Sequence, residues 1–325
     1  MRNISRGFAD LVGQSKAMQS VFELMRKVSS ARFPLLIMGE TGTGKGLAAY
    51  AIHAGGPRQD KPYFALDCAA LVPSLIETEL FGHVRGAFTG AAHSKTGLLE
   101  MAPEGTLLLD EIGELPMNSQ SRLLSAIEEK KVRPVGSNNY QPFRARIIAT
   151  TNRNLDEEVR EGRFRKDLFF RLNVLVIYLP TLRERKEDIP MLCEFLLDRL
   201  SDSFNGSREQ HRWELSSEAM DCLLAYDWPG NVRELRSCLE RSVSLGTYPI
   251  IQPSDLLLHG RPPLFEMMFI PSGGVAPLAA IQRTAILDAL AKAGGDKQRA
   301  ARSLGIGKST LYRKLQQYYI AANSA

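Results

Sequence analysis

The run Gly39-Glu40-Thr41-Gly42-Thr43-Gly44-Lys45 lies between the apolar stretch PLLIMG (34–39) and a helical pattern, and it constrains the fold more than any other feature. Glycines at these spacings let backbone N–H groups turn toward phosphate oxygens. The helix that follows adds positive potential, and Lys45 neutralises the β- and γ-phosphates. Such a loop requires a buried strand before it and a helix after it. Three more continuous apolar runs, PYFALDC (62–68), GTLLLDE (105–111) and ARIIATT (145–151), are bounded by turn residues and separated by amphipathic segments. They fit strands buried on both faces with crossover helices, hence an α/β domain with a mostly parallel sheet. Gly46 stands where many phosphate loops place a Ser or Thr that touches Mg²⁺, so magnesium must rely on phosphates, water and another carboxylate.

That carboxylate is offered by Leu107-Leu108-Leu109-Asp110-Glu111, a buried strand ending in two acids. Asp110 would hold Mg²⁺, and Glu111 would orient or deprotonate the attacking water. Alone, the two acids could equally cap the next helix; with a phosphate loop upstream they favour hydrolysis. Thr150-Thr151-Asn152 closes another strand and supplies a polar tip near the γ-phosphate position.

The remainder divides by pattern. Residues 1–180 form the α/β part and 181–260 a small helical part without strand signals, where SSEAMDCLLAYDW opens on a Ser cap. A Pro- and Gly-rich stretch at 261–277 reads as a linker, and 278–325 as a compact helical module. The chain carries a net charge of +5, yet eight basic residues face only Asp288 and Asp296 from 277 onward, so the rest is near neutral. A basic surplus confined to one small module points to a polyanion, nucleic acid being the usual one, although a solvated lysine-rich surface would look the same. The four cysteines are scattered and read as reduced core thiols. No apolar run approaches the ~18 residues that span a bilayer, and the N-terminus lacks a signal-peptide core, so a cytoplasmic, nucleoid-associated protein is expected.

Gly86-Ala87-Phe88-Thr89-Gly90-Ala91 is the GAFTGA signature of sigma-54-dependent transcriptional activators within the AAA+ superfamily. Glu79-Leu80-Phe81-Gly82-His83, the segment Phe164 to Leu172 and Trp228-Pro229-Gly230-Asn231-Val232-Arg233-Glu234-Leu235 match that family in order, over roughly residues 9–260. The resemblance implies an ATPase with a helical lid, using ATP and Mg²⁺ to remodel the sigma-54 RNA polymerase holoenzyme. The six GAFTGA residues would contact the sigma factor. An exposed Phe on a glycine-hinged loop is costly unless a partner covers it, although a plug into its own core is the alternative. Arg165 and Arg171 match the family's arginine fingers, which reach a neighbour's nucleotide, and Arg233 its second sensor. Fingers acting in trans imply a ring, hexameric by resemblance, built from dimers or shared with a paralogue.

The C-terminal module resembles the helix-turn-helix of Fis: Gln298 to Leu304, a turn at Gly305, then Gly307 to Leu315, packed through Ala301, Leu304, Ile306, Leu311 and Leu315. Lys308, Ser309 and Tyr312 would face the major groove of enhancer DNA, and Thr310, Arg313 and Lys314 would take phosphates.

Two residues depart from the family: Gly46 replaces a usual Glu, and Asp67 stands where an Asn normally restrains the Walker B glutamate. Asp67 is therefore grouped with the catalytic residues. Only about eight residues precede the ATPase, so a separate regulatory protein is expected unless the sequence is a fragment. Two competing readings are a DNA-binding scaffold with a decayed ATPase, and an AAA+ chaperone or helicase. Intact Lys45, Asp110, Glu111, Arg165 and Arg171 oppose the first; the GAFTGA loop with its C-terminal module opposes the second.

Overall fold

The computed structural model describes residues 11–204, 213–246 and 249–258, and in the C-terminal part 286, 289, 297–307, 310, 311 and 314. Two compact units divide the chain, Met1–Leu256 and Leu257–Ala325.

In the first unit α1 (Lys16–Ser29) opens on Ser15, whose side chain accepts from Met18 N–H. Asp188 closes the same end by accepting from Gln14 N, Ser15 N and Ser15 Oγ at 2.6, 2.8 and 2.7 Å. The chain continues through β1 (Leu35–Met38), α2 (Lys45–Ala54), β2 (Tyr63–Asp67) and α3 (Pro73–Phe81). A two-residue ribbon, β3 (Gly82–His83) with β4 (Lys95–Thr96), frames the 84–94 loop. Then come α4 (Leu98–Met101), β5 (Thr106–Asp110), α5 (Met117–Glu129) and a second short ribbon, β6 (Lys131–Val132) with β7 (Gln141–Pro142). After them follow β8 (Arg146–Thr151), α6 (Leu155–Arg160), α7 (Lys166–Leu172) and β9 (Leu175–Tyr178).

Five strands form one parallel sheet in the order β2-β5-β8-β1-β9. Alternate residues of each strand enter different cores. Leu35 and Ile37 pack with Leu108, Ile148 and the apolar faces of α1 and α2, whereas Leu36 packs with Leu107, Leu109 and residues of α3, α5 and α7. Burial on both faces is why β1, β5 and β8 read as continuous apolar runs, whereas edge strand β2 is buried only at Leu66. Each of the four expected strands is present. The fifth, β9, escaped the sequence reading: it lies at one sheet edge, with Leu175 and Val176 half-buried and Tyr178 exposed, so it lacks the full burial of β1, β5 and β8.

The helical part comprises α8 (Ile189–Phe204), α9 (Ser217–Ala225) and α10 (Asn231–Leu245). Ser216 caps α9 as expected, accepting from Ala219 N–H. Contrary to the expected absence of strands, β10 (Glu214–Leu215) pairs with β11 (Ile250–Ile251) in parallel. Two residues per strand are too few to carry a period.

In the second unit α11 (Lys297–Ser303) packs Ala301 with buried Ile286, Ala289 and Leu311 and half-buried Leu304 and Ile306. Gly305, at φ +65°, makes the turn while Ile306 N donates to Ala301 O at 3.1 Å. Four of the five residues expected to hold the two helices together thus share one core; Leu315 lies outside the described residues. Among the described residues no helix is long and apolar enough to cross a membrane.

Candidate functional site

A parallel sheet gathers functional groups at its carboxyl end, and here the loops after β1, β5 and β8 meet there. The phosphate loop leaves β1 and turns into α2. Gly42 sits at φ +82°, and a Cβ there would fall 2.1 Å from the Gly230 carbonyl oxygen, so only glycine fits between β1 and the α10 segment. Lys45 is buried, and its Nζ donates to Gly39 O at 3.0 Å and Glu40 O at 3.4 Å. The same ammonium lies 3.1 Å from Glu111 Oε1. Thr43 Oγ1 donates to Glu40 O at 2.8 Å. A Cβ on Gly46 would meet nothing within 4 Å, so space does not demand that glycine.

The acidic pair follows β5. Asp110 accepts from Thr150 Oγ1, and Thr150 Oγ1 also accepts from Glu111 N–H at 3.2 Å. Glu111 adopts left-handed backbone, φ +52°, an uncommon conformation for a non-glycine residue that turns its carboxylate toward the phosphate loop. Its Oε2 accepts from Asn152 N–H at 2.9 Å, and Asn152 Nδ2 donates to Thr41 Oγ1 at 2.9 Å. The structure therefore brings Lys45, Asp110, Glu111, Thr150 and Asn152 into one connected group.

Asp67 is placed beside this group without joining it. It pairs in register with Asp110 across β2 and β5. Its Oδ1 accepts from Ala69 N–H at 2.9 Å, closing a local turn, while the Glu111 oxygens are engaged by Lys45 and Asn152. The carboxylates of Asp67, Asp110 and Glu111 reinforce burial in pushing the Cys68 thiol up to about 12. Cys68, Cys193 and Cys238 are buried and Cys222 is half-buried, none of them in a disulfide, as expected of reduced thiols.

The helical part covers the phosphate loop. A cavity of about 320 Å³ is lined by Thr41 to Leu47, Asp110, Glu111, Leu11, Val12, Leu192, Arg185, Arg233 and Arg236. Its lining includes charged groups (Lys45, Asp110, Glu111, Arg185, Arg233, Arg236) and aliphatic ones (Leu11, Val12, Leu47, Leu192), the two kinds a nucleotide needs for its phosphates and base. Arg233 lines this cavity, and its N–H donates to Gly42 O at 3.3 Å.

Several residues here have contacts that the sequence reading did not assign, although Asn231 and Glu40 lie within motifs it recognised. Asn231, wholly buried, donates from Nδ2 to Thr41 O at 3.0 Å and Glu40 Oε2 at 3.2 Å, and its Oδ1 accepts from Leu182 N–H at 2.8 Å. Its φ of +53° is one that Asn tolerates better than most residues. Glu40 also takes both guanidinium arms of Arg183, which holds its carboxyl below the usual range. Arg185 is buried, donates to Thr43 O at 3.3 Å, and burial pulls its pKa below the ordinary arginine value. Only the Asn-after-Gly junction at a helix start hinted at any of this.

Arg165 and Arg171 do not line the cavity of their own chain. Arg165 caps the start of α7 and pairs with Asp167 at 3.0 and 2.6 Å; Arg171 is exposed in the last turn. Buried Gln120 holds the segment, accepting from Arg165 N–H at 2.8 Å and donating to Arg163 O at 3.0 Å.

The 86–91 loop projects between β3 and β4. Gly86 and Gly90 adopt φ +80° and +104°, and Gly86 N donates to Ala91 O at 2.9 Å, closing the loop at its base. Ala87 is half-buried and Ala91 buried, whereas Thr89 is exposed and Phe88 is 46% exposed with its ring 5.0 Å from His83. Phe88 is thus no plug in its own core. Of the residues expected to face DNA, Thr310 is half-buried and helical, its N–H donating to Gly307 O at 3.0 Å, and Lys314 is helical too. Lys308, Ser309, Tyr312 and Arg313 lie outside the described residues.

Comparison with known proteins agrees with this geometry. Residues 11–178 match the sigma-54 interaction domain, 183–262 the AAA+ ATPase lid domain, and 277–318 the Fis family of bacterial regulatory proteins. The chain is 45% identical over 310 residues to the transcriptional regulatory protein ZraR of Escherichia coli K12, covering 94% of this chain and 68% of that protein. It is 42% identical to the Nif-specific regulatory protein of Klebsiella pneumoniae, covering 96% and 60% respectively. The crystal structure of NtrX from Brucella abortus in complex with ATP superposes with a TM-score of 0.71 at 31% identity, over 95% of this chain and 69% of that one.

Proposed function

The chain belongs to the sigma-54-dependent transcriptional activators, AAA+ ATPases with a Fis-type DNA-binding unit, and we propose that it couples ATP hydrolysis in a ring to promoter opening through its GAFTGA loop. The observation that carries this reading is a projecting loop with Phe88 and Thr89 at its tip, in the same α/β unit that groups Lys45, Asp110 and Glu111. A half-exposed aromatic next to a hydroxyl, held on a backbone closed at its base, suits transient contact with a protein partner.

Within the site, Lys45 and the phosphate-loop N–H groups bind the β- and γ-phosphates, and Glu111 orients the attacking water and receives its proton. Asn152 fixes the Glu111 carboxylate through its backbone N–H. The donors present suit magnesium held jointly with a nucleotide: Asp110 is the carboxylate at the strand end, and no cluster of three or more metal-ligating side chains occurs among the described residues. Magnesium would screen phosphate charge. Since Arg165 and Arg171 lie off their own cavity, each subunit completes its neighbour's site, which favours the ring, a hexamer of this chain or of this chain with a paralogue. Residues 1–180 and 181–260 serve as motor and lid, 261–277 as linker and 278–325 as the module that holds enhancer DNA. The polymerase carrying sigma-54 is the target, in the cytoplasm at the nucleoid.

Thr89→Ala tests the coupling. ATP hydrolysis measured by phosphate release should stay within about twofold of the parent, because Thr89 does not line the cavity that holds Lys45, while open-complex formation should be lost. Equal loss of both activities would reject the loop assignment.

A further inference from the structure

The phosphate loop occupies the carboxyl ends of the strands; the opposite end of the sheet carries a second concave surface. The segments entering β1, β2, β5 and β8, together with the β6–β7 ribbon, surround a cavity of about 940 Å³. Six cations line it, Arg32, Arg58, Lys61, Lys130, Lys131 and Arg144, against two carboxylates, Glu104 and Glu129. Glu104 is divided among several of them: its carboxylate lies 3.8 Å from Lys61 and 3.8 Å from Arg144, and its carbonyl accepts from Arg58 Nε at 3.0 Å.

A cluster of surface lysines is ordinarily a solvated face. Here the cations converge from separate segments, and they act on one another. Burial and then Arg32 lower the Arg58 pKa, and Glu104 only partly opposes them. Beneath them Arg146, buried while donating to Val28 O and Ser29 O, is lowered by burial and then by Arg58. The fold gathers like charge there without neutralising it, which raises the local potential and favours an anion.

We infer that this basin is a second DNA-binding surface, which takes the phosphodiester backbone of duplex DNA separately from the Fis-type unit. Duplex DNA offers about one negative charge per 1.7 Å of axis, so several cations can be matched at once. Flexible Arg and Lys donors with few acceptors suit phosphate oxygens and carry little base preference. Because the same chain already holds DNA through its C-terminal unit, the effective concentration of duplex near the basin is high, and weak interactions with the backbone suffice.

The test is equilibrium binding of the full chain to a random-sequence duplex across a salt series. Arg32→Gln/Lys131→Gln should make the slope of log K against log salt shallower by about two, one for each cation withdrawn from a phosphate. ATP hydrolysis should be unchanged, as neither residue lines the nucleotide cavity or belongs to the segment that carries Arg165 and Arg171. Lys16→Gln/Arg160→Gln, which removes equal charge from exposed positions outside the basin, should keep the parent slope. An unchanged slope in the basin variant, or an equal fall in the control, overturns the inference. So does an intact slope accompanied by lost promoter opening, which would make the basin's partner an acidic protein surface.

Discussion

Asn231 commits every polar atom of its side chain to a partner: the Thr41 carbonyl, the Glu40 carboxylate and the Leu182 N–H. One residue thus joins the phosphate loop, the first residue of α10 and the stretch leading into the helical part. Asn231→Ala would leave the buried Leu182 N–H and Thr41 carbonyl unpaired. That should lower stability by about 2 kcal/mol and weaken ATP affinity several-fold, to be measured by urea unfolding and nucleotide titration. Asn231→Asp should weaken ATP affinity further, since a carboxylate would face both the Thr41 carbonyl and Glu40. At this scale the sequence was only partly legible. Lys45, Asp110, Glu111 and Asn152 could be read because phosphate chemistry demands those residue types at strand ends. Asn231, Arg185 and Gln120 could not, because their roles depend on distant backbone groups that spacing does not reveal. Asp67 was grouped with the catalytic residues, but its oxygen serves a local turn with Ala69.

Besides Gln120, one carboxylate anchors the segment leading to Arg165. Glu158 in α6 accepts from Arg163 Nε and Nη2 at 2.8 and 2.7 Å and from Arg153 Nη1 at 3.2 Å, and its carbonyl receives Phe164 N–H at 3.0 Å. Arg163, with Arg153 adding to it, holds the Glu158 carboxyl at about 2, below its ordinary 4.5. A depressed folded-state pKa adds stability that is fully present above the unfolded value and is lost as pH falls toward the folded one. Arg163 is half exposed, and screening keeps the gain to about 2 kcal/mol. Glu158→Gln should therefore cost about that much at neutral pH. The gap from the parent should stay flat down to about pH 5 and narrow below it, as chemical unfolding at each pH would show. A gap independent of pH down to about pH 3 would mean that the ion pairs contribute nothing. Elements buried on both faces, such as β1, β5 and β8, were legible as apolar runs. Edge strand β9 and the two-residue strands β10 and β11 were not, because exposure on one side and shortness erase the pattern.

The whole molecule joins a nucleotide cavity, arginines placed off that cavity, a projecting loop and a DNA-binding unit. If Arg171 acts on a neighbouring subunit, Arg171→Ala should lower hydrolysis by about 10³-fold, and so should Lys45→Ala. Mixing the two inactive proteins should restore measurable phosphate release, since a junction between them can combine one intact cavity with one intact finger. No recovery at any mixing ratio would assign Arg171 a role within its own chain. This plan was legible early because the phosphate loop, the GAFTGA loop and the basic C-terminal module follow one another in that order; the junction that Asn231 makes between phosphate loop and lid was not, since the motif containing it does not show which distant groups it binds. Whether ATP hydrolysis by this chain opens promoters held by sigma-54 polymerase can be read by permanganate footprinting of such a promoter bearing the chain's upstream site. Reactive, unpaired thymines should appear near the start site with ATP and none with a non-hydrolysable analogue. Opening that proceeds equally with the analogue, or no opening with ATP while phosphate is released, would contradict the coupling of hydrolysis to promoter opening.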